Sequence, residues 1–285
     1  MPEAAIYRRD GDVFHPSPWA GSPWSERLQH GGPVNALFAR MAERAAAETQ
    51  LQLVRLTVDL FRPIPMEPLA CRWRFLRRGR RIANVEIELL SGSGASPDPG
   101  QIEAPAAISR ATAVLLLRRP ELAASWQAEP DPPPPQDDAN PIEFMPRAMR
   151  DQLPPGFHWS LRVSVGRDAQ GPFAWVTTPL RLVEGEEMTP LQRCAAVADL
   201  TFGLSGRALL KGGQLEPDPD RVALINTDTT LYWARAPRGN RFAFRSPRIS
   251  DEAGIGLAEV VLYDASGRLG RSTQSLVANP GAWNG

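Results

Sequence analysis

Apolar and polar positions along the chain predict one long helix followed by several strands, and this order occurs twice. In the first half the helix is predicted in HGGPVNALFARMAERAAAETQ, where Val34, Leu37, Phe38 and Met41 have the spacing of one helix face. Strands are predicted after it, in LVRLTVDLFRPIP, LACRWRFLRRGRRIANVEIELLS and ISRATAVLLLRR. The first half is therefore predicted to be a short strand, a helix and about four consecutive strands.

The second half repeats this plan. SLRVSVG and PFAWVTTPLRLV are predicted strands, and a helix is predicted from Pro190 to Leu210 with Thr189 as its N-cap. Three further strand segments follow, ALINTDTTLYWARAP, NRFAFRSPRISD and GIGLAEVVLYDASGRLGRSTQSL, the last being a hairpin. Because one helix recurs with about five strands, we expect a duplicated α+β domain in which an antiparallel sheet wraps the helix.

The two predicted halves are separated by a proline-rich segment. Residues 132–135 are four consecutive prolines beside acidic residues, a composition that joins neither a helix nor a central strand. We therefore expect domains at 1–125 and 158–285, joined by a linker at 126–157.

Composition narrows the range of functions. The 285 residues include 32 Lys or Arg and 32 Asp or Glu, a balance that does not favour nucleic acid as a partner. The sequence lacks both a long apolar run and a charged-then-apolar start, so we expect no membrane association and a cytoplasmic location. Cys71 and Cys194 have no metal-ligand or disulfide spacing, and the three histidines lack metal-site spacing. The motifs of α/β-hydrolases, dinucleotide-binding domains and P-loops are absent from the sequence.

Asp199 is the most unusual position. It is surrounded in the predicted second-half helix by small and apolar residues, and a charge buried there is costly unless it is paired. An exposed position, or an ion pair with a nearby arginine, would explain it without a function. Arg193 lies at a spacing that does not suit a helical pair, so the position calls for another explanation.

Five segments in this order resemble the hotdog fold and, in tandem, the bacterial type II acyl-CoA thioesterases. They are HGGPVNALFAR and LTVDLFRPIP in the first half and PLQRCAAVADLTFG, INTDTTLYWARAP and LYDASGRLGRSTQSL in the second. The resemblance covers nearly the whole chain. It implies a double-hotdog α+β fold, hydrolysis of an acyl-CoA thioester, and association into a homo-oligomer. It also implies that no metal or redox cofactor is needed, since coenzyme A enters as part of the substrate.

The family's catalytic trio consists of an Asp on the second-half helix, a Thr in the next strand and a Gln in the last strand. The resemblance places it on Asp199, Thr227 and Gln274. A shift of two residues would select Thr229 on the same strand face, and the direction of Asp228 is open. In the implied mechanism the three side chains hold a water over the thioester carbonyl, and the Asp removes its proton.

The start of the first-half helix is the second candidate region. Gly31 and Gly32 would supply backbone N–H groups for the carbonyl oxygen of the substrate. His30 precedes them and is the histidine placed to reach such a site, although a structural role would also explain it. These three residues are the predicted substrate-binding set.

Two other functions remain open. A non-catalytic acyl-CoA or lipid-binding protein would keep the duplicated fold while the trio failed to converge. Hotdog hydratases and dehydratases use a His/Asp pair on the hotdog helix, and the helix predicted from Pro190 to Leu210 contains no His. Since the first-half helix has no acid in its apolar stretch, we expect one working site per chain.

Overall fold

The computed structural model of the chain describes residues 4–92, 107–122, 131–137, 139–144, 153–205, 209 and 223–279. The statements below concern these residues.

The first half contains one long helix and six strands, one more than predicted, because Val13–Pro16 forms a second strand before the helix. The elements are β1 (Ala5–Asp10), β2 (Val13–Pro16), a 3-10 turn (Pro18–Ala20), α1 (Gly31–Ala47), β3 (Leu51–Leu60), β4 (Leu69–Arg78), β5 (Ile82–Ser91) and β6 (Ser109–Leu117).

The second half has the same order but a shorter principal helix. The elements are β7 (Asn140–Ile142), a 3-10 turn (Phe157–Ser160), β8 (Arg162–Asp168), β9 (Gly171–Thr177), β10 (Arg181–Val183), α2 (Pro190–Ala198), α3 (Thr201–Leu204), β11 (Ala223–Asn226), β12 (Asp228–Trp233), β13 (Phe242–Glu252), β14 (Ile255–Asp264) and β15 (Gly267–Asn279).

The strands of both halves form one fifteen-stranded sheet. The halves meet where β3 pairs antiparallel with β12, with Thr57 opposite Thr230. They meet again at one sheet edge, where β1 pairs parallel with β10. All other strand pairs that the structure describes are antiparallel. The tandem α+β architecture expected from the sequence is confirmed.

The helices α1 and α2 pack against each other, and their buried residues belong to one apolar core. Leu37 and Phe38 of α1 are fully buried, as are Cys194 and Val197 of α2. Burial raises the pKa of the thiols of Cys194 and Cys71 to about 12, so both remain protonated and unreactive near neutral pH.

The described part of the proline-rich segment packs onto the second half. The Asp131 carboxylate accepts a hydrogen bond from the Tyr263 hydroxyl at 2.9 Å, and the indole of Trp175 donates to the carbonyl of Pro135 at 3.3 Å. Asn140–Ile142 adds to β8 as an edge strand, a position that tolerates Pro141. This part of segment 126–157 therefore extends the second half.

The second-half helix differs from the prediction of one helix through Leu210. It ends at Ala198, and the four-residue α3 follows after Asp199 and Leu200. Its start is as predicted, because Thr189 is the N-cap and its hydroxyl accepts from the Gln192 backbone N–H at 3.1 Å. Leu210 lies outside the described residues. Asp199 is thus at the end of α2 and not in the middle of a helix.

Candidate functional site

Gln274 holds the turn between α2 and α3. Its amide nitrogen donates to the main-chain carbonyl of Asp199 at 3.0 Å, and its amide oxygen accepts from the backbone N–H of Phe202 at 2.9 Å. These bonds replace helical ones, because the carbonyl of Ala198, which would otherwise accept from Phe202, accepts instead from the Thr201 hydroxyl at 2.7 Å. The helix breaks at Asp199 for this reason, and Gln274 on β15 fixes where it breaks.

The carboxylate of Asp199 lies where the two halves meet. Its Oδ2 is 3.0 Å from Nδ1 of His30, and its Oδ1 accepts from Nδ2 of Asn226 at 3.2 Å. The Asp199 side chain is 6% exposed and the His30 side chain 11% exposed. His30 comes from the first half and Asn226 from the second, so both halves build the surroundings of this carboxylate.

The Nδ1 atom of His30 lies near two groups and can form a hydrogen bond with only one of them at a time. It lies 3.1 Å from the backbone N–H of Gly32, for which it acts as N-cap acceptor when it carries no proton. When Nδ1 carries a proton, it donates to Asp199 instead. The proton on this nitrogen therefore determines whether His30 caps α1 or binds the carboxylate.

Gly31 and Gly32 are required by close packing at the start of α1. A Cβ atom on Gly31 would lie 2.5 Å from Oδ1 of Asp199. One on Gly32 would lie 2.6 Å from the carbonyl of Ala196 and 2.7 Å from the ring of Phe157. Only glycine allows the first turn of α1 to approach Asp199 this closely. The predicted substrate-binding residues His30 and Gly31 are therefore next to Asp199, and Gly32 packs against α2.

Thr229 lies beside Gln274, whereas Thr227 is at the surface. The Gln274 amide donates to the Thr229 hydroxyl at 3.0 Å, and Thr229 is 1% exposed. Thr227 is exposed, and its hydroxyl lies 3.4 Å from the carbonyl of Ser275. Of the two threonines that the sequence left open, the structure brings Thr229 to Gln274 and leaves Thr227 outside the cluster.

A β-bulge causes this difference. Asn226 of β11 pairs with Leu276 and Thr230 of β12 pairs with Thr273, so the three residues 227–229 lie opposite only two residues of β15, 274 and 275. The extra residue changes the alternation of faces, and Asn226 and Thr229 come to the inner side although they are three positions apart. The register of a bulge cannot be obtained from the apolar pattern, and for this reason Asn226 was missed. Its one sequence signal is that Asn is uncommon inside a strand.

Asp228 faces away from the cluster. It lies on β12 opposite Asp59, and its Oδ1 accepts from the backbone N–H of Ser275 at 2.6 Å. The carboxylate of Asp228 therefore fixes the bulge and does not meet Asp199.

A second carboxyl group, Glu43, lies between the long helices. It accepts from the Thr189 hydroxyl at 2.8 Å and from the Gln192 amide at 2.6 Å. Burial raises the pKa of Glu43, although these hydrogen bonds and the charge of Arg40 oppose the shift.

Neither a metal site nor a membrane-spanning helix is found among the described residues. No three His, Cys, Asp or Glu side chains are grouped there so that they could hold a metal ion. No helix in the same residues is long and apolar enough to cross a membrane.

Two family models match the sequence, one for each half. Residues 20–116 match the acyl-CoA thioesterase N-terminal domain, and residues 127–278 match the acyl-CoA thioesterase C-terminal domain. The gap between the two matches, residues 117–126, precedes the four prolines at 132–135, and the second match includes the segment that packs onto the second half. No curated protein matches the sequence.

Solved structures share the fold at low sequence identity. A candidate thioesterase from Novosphingobium aromaticivorans is 20% identical with a TM-score of 0.64, over 96% of this chain and 98% of that one. A hot dog fold protein of unknown function from Alicyclobacillus acidocaldarius is 16% identical with a TM-score of 0.59, over 97% of each chain. An acyl-CoA thioesterase II from Mycobacterium marinum is 14% identical with a TM-score of 0.58, over 95% and 93% of the two chains.

These structures support the fold, while the family models carry the assignment because they match both halves in order. The α+β double-hotdog architecture agrees with them. The chain belongs to the acyl-CoA thioesterase family, which consists of thioester hydrolases.

Proposed function

We propose that the protein hydrolyses an acyl-CoA thioester with a water molecule that Asp199 activates. The observation that carries this proposal is the nearly buried Asp199 carboxylate, held between His30 and Asn226 at the first turn of α1. A carboxylate fixed by two neighbours in a poorly solvated place is suited to removing a proton from water, since both its orientation and its low hydration are set in advance.

Asn226 and His30 position the carboxylate in this proposal. Asn226 donates to Oδ1, and His30 faces Oδ2, so the carboxylate cannot rotate without losing a contact. The remaining lone pairs of the two oxygens can accept a hydrogen bond from water. The ring of Phe157 lies beside the imidazole of His30, with 5.3 Å between the two ring centroids.

Gln274 and Thr229 act as positioning residues. The Gln274 amide nitrogen already donates to the Asp199 carbonyl and to the Thr229 hydroxyl, so both of its hydrogens are used within the protein. Gln274 is 0% exposed, so its amide is not open to the solvent. We therefore propose a division of roles in place of three side chains that hold one water together. Asp199 meets the water, and the other two hold the main chain that carries Asp199.

The first turn of α1 supplies the partner for the substrate's carbonyl oxygen. Negative charge develops on this oxygen as water adds, and a helix N-terminus offers N–H donors and a positive dipole end. Because Gly31 has no side chain, this turn lies directly against Asp199. The carboxylate that removes the proton and the N–H groups that bind the oxygen are therefore next to each other. We assign to the Gly31 region the binding of that oxygen.

The contact between His30 and Asp199 favours hydration of an enoyl thioester as a second candidate. The sequence argued against it because the Asp199 helix contains no His. In the structure a His reaches Asp199 from the N-cap of α1, at 3.0 Å. A His/Asp pair can transfer a proton to or from a substrate carbon, so this activity deserves a direct comparison with hydrolysis.

One pair of assays decides between the functions. The wild-type protein is given saturated acyl-CoA thioesters of increasing chain length, and thiol release is followed with a thiol-reactive dye. It is then given an unsaturated enoyl-CoA, and loss of the conjugated double bond is followed separately. We expect thiol release with the saturated substrates. Loss of the double bond without thiol release would favour hydration, and CoA binding without either reaction would favour a non-catalytic binding protein.

We also propose association into a homo-oligomer. Ile255 and Val277 are neighbours on β14 and β15 and are 71% and 39% exposed, and Leu257 beside them is 43% exposed. A cluster of exposed apolar side chains on one sheet supports contact with a second copy. Light scattering would give a mass above that of one chain if this is so.

A further inference from the structure

A groove of about 560 Å³ lies between β7, the 3-10 turn at Phe157–Ser160 and the first residues of β8. Its volume is in the range of small-molecule sites. The apolar part of its lining includes Ile142, Phe144, Leu161 and Val163, and the polar part includes Ser164. Phe144 and Val163 are buried, so this part of the lining is supported by the core.

The inner end of the groove leads to Asp199 through two stacked imidazoles. His158 lines the groove, and its ring centroid lies 6.3 Å from that of His30 with an interplanar angle of 21°. The Nδ1 atom of His30 is in turn 3.0 Å from Oδ2 of Asp199. One pair of rings therefore separates the groove from the carboxylate.

Two guanidinium groups lie at the outer end of the groove. Arg162 is opposite Thr177 in the β8–β9 register, and the Thr177 hydroxyl donates to the carbonyl of Asn240, next to Arg241. Arg241 lies over the ring of Trp175, with 5.6 Å from its guanidinium carbon to the ring centroid. Among the described residues, neither arginine forms an ion pair with a carboxylate. Glu143 is the one acidic residue of the lining, so the positive charge is in excess.

A second depression, of about 350 Å³ beside β13–β15, also contains arginines, but three of the four pair with carboxylates. Arg245 pairs with Asp168 at 2.6 Å, and Arg271 pairs with Glu259 at 2.9 Å. The arginine-rich β4–β5 hairpin is also excluded, because Arg78 contacts Glu48 at the far end of α1. That end lies 17 residues, or ~25 Å, from His30.

Resting on the proposed thioesterase function, we propose that the groove binds the phosphate-bearing arm of coenzyme A. Arg162 and Arg241 bind phosphate oxygens, for which the guanidinium fork is well suited. The pantetheine part lies along the apolar lining beside Ser164. The thioester end is then directed past His158 toward His30 and Asp199.

The test compares two thioesters that carry the same acyl group. One is the acyl-CoA, and the other is the acyl N-acetylcysteamine thioester, which has the same reactive end but no phosphate. In the double variant Arg162→Gln/Arg241→Gln we expect KM for the acyl-CoA to rise by about tenfold or more, since charge-assisted hydrogen bonds are lost. KM for the N-acetylcysteamine thioester should stay at its wild-type value. Thermal unfolding followed by circular dichroism verifies that the variant is folded.

The matched control is Arg77→Gln/Arg81→Gln, which removes the same charge from the exposed β4–β5 hairpin. It should leave both KM values unchanged. An unchanged KM for acyl-CoA in the groove variant, with Asp199-dependent hydrolysis intact, would overturn the groove assignment and leave the proposed function standing. If the wild type hydrolyses neither thioester, calorimetric titration with coenzyme A separates the two claims. If the wild type binds coenzyme A and the groove variant binds it more weakly, the groove assignment is supported without the proposed function. If the wild type does not bind coenzyme A, the groove assignment is overturned.

Discussion

At the scale of single residues, the site depends on which side chains share a face with Asp199. Thr227 and Thr229 have the same chemistry and lie two positions apart, yet one is exposed and the other is 1% exposed. The bulge after Asn226 makes this difference. The two threonines therefore form a matched pair for testing which of them belongs to the site.

We expect Thr229→Val to lower activity and stability while Thr227→Val changes neither. Valine at 229 removes the acceptor for the Gln274 amide, and a buried donor left without a partner costs about 1–3 kcal/mol. Urea unfolding and thiol-release kinetics of both variants measure this. The reverse result, with Thr227→Val as the damaging change, would mean that the register around the bulge is wrong.

Asn226→Asp should move the acid limb of the pH–rate profile to higher pH. The variant places a second carboxyl group beside Asp199, at the position of the 3.2 Å contact, and two adjacent carboxylates disfavour ionisation of both. The base would then need a higher pH to lose its proton. The measurement is kcat/KM across pH for the variant and the wild type, and Asp228→Asn, on the outer face, provides the control. Superimposable profiles would show that Asn226 does not act on the base.

Some of these residues could be predicted from the sequence and others could not. Asp199 was conspicuous because a carboxylate among small residues needs a partner, and Gln274 followed from its place in the last-strand motif. Asn226 and the choice of Thr229 depend on a bulge, which shifts the alternation by one residue without altering the apolar pattern. The contact with His30 joins residues 169 positions apart in sequence, His30 and Asp199, and arises only when the halves pack.

At the scale of elements, the start of each of the helices α1 and α2 meets the residue that lies ten positions after the N-cap of the other helix. Asp199 lies ten residues after the N-cap Thr189 and faces the N-cap His30. Ten residues after His30 is Arg40, whose guanidinium binds Glu186, just before Thr189, through two hydrogen bonds of 3.0 and 2.9 Å. The position related to Asp199 is therefore occupied by an ion pair. This asymmetry explains why one site per chain is expected.

Glu43→Gln should reduce the loss of stability that occurs as pH rises. Because the pKa of Glu43 is raised on folding, the folded state binds more protons than the unfolded state between the usual value of 4.5 and the raised value. Stability from this group is therefore present below that window and is lost as pH rises through it. The variant lacks this titrating group, so its free energy of unfolding should fall less than that of the wild type as pH rises. Urea unfolding at several pH values tests this, and equal curves would contradict the assignment.

At the scale of the whole molecule, the described parts of the two halves form one continuous sheet around a shared core. Thr57 and Thr230 face each other where the halves join and mark related positions. Thr229, the residue before Thr230, is hydrogen-bonded to Gln274. Leu56, the residue before Thr57, pairs with Ala113. Leu56 and Ala113 are buried and apolar, so the first half keeps the packing of this layer without its hydrogen bonds. The sequence predicted the duplication correctly, but not that β1 and β10 would bind the halves at the sheet edge.

We expect the protein to unfold in one cooperative transition. The two halves share one sheet and one apolar core, and α1 packs on α2. Neither half therefore has a hydrophobic core that is separate from the other half. In scanning calorimetry the measured enthalpy should match the van't Hoff enthalpy. Two resolved transitions would show that the halves are separate domains.

The most direct test of the central claim is the turnover number of Asp199→Asn beside that of Asp228→Asn. Both variants remove one carboxylate from the second half with little change in shape, and they differ in whether it lies at the junction or on the outer face. Asp199→Asn should lower kcat for acyl-CoA hydrolysis by about 10²–10⁴-fold, the usual contribution of a general base. Asp228→Asn keeps a side-chain oxygen that can accept from the Ser275 N–H, so it should stay near wild type. Wild-type turnover in a folded Asp199→Asn variant would contradict the account.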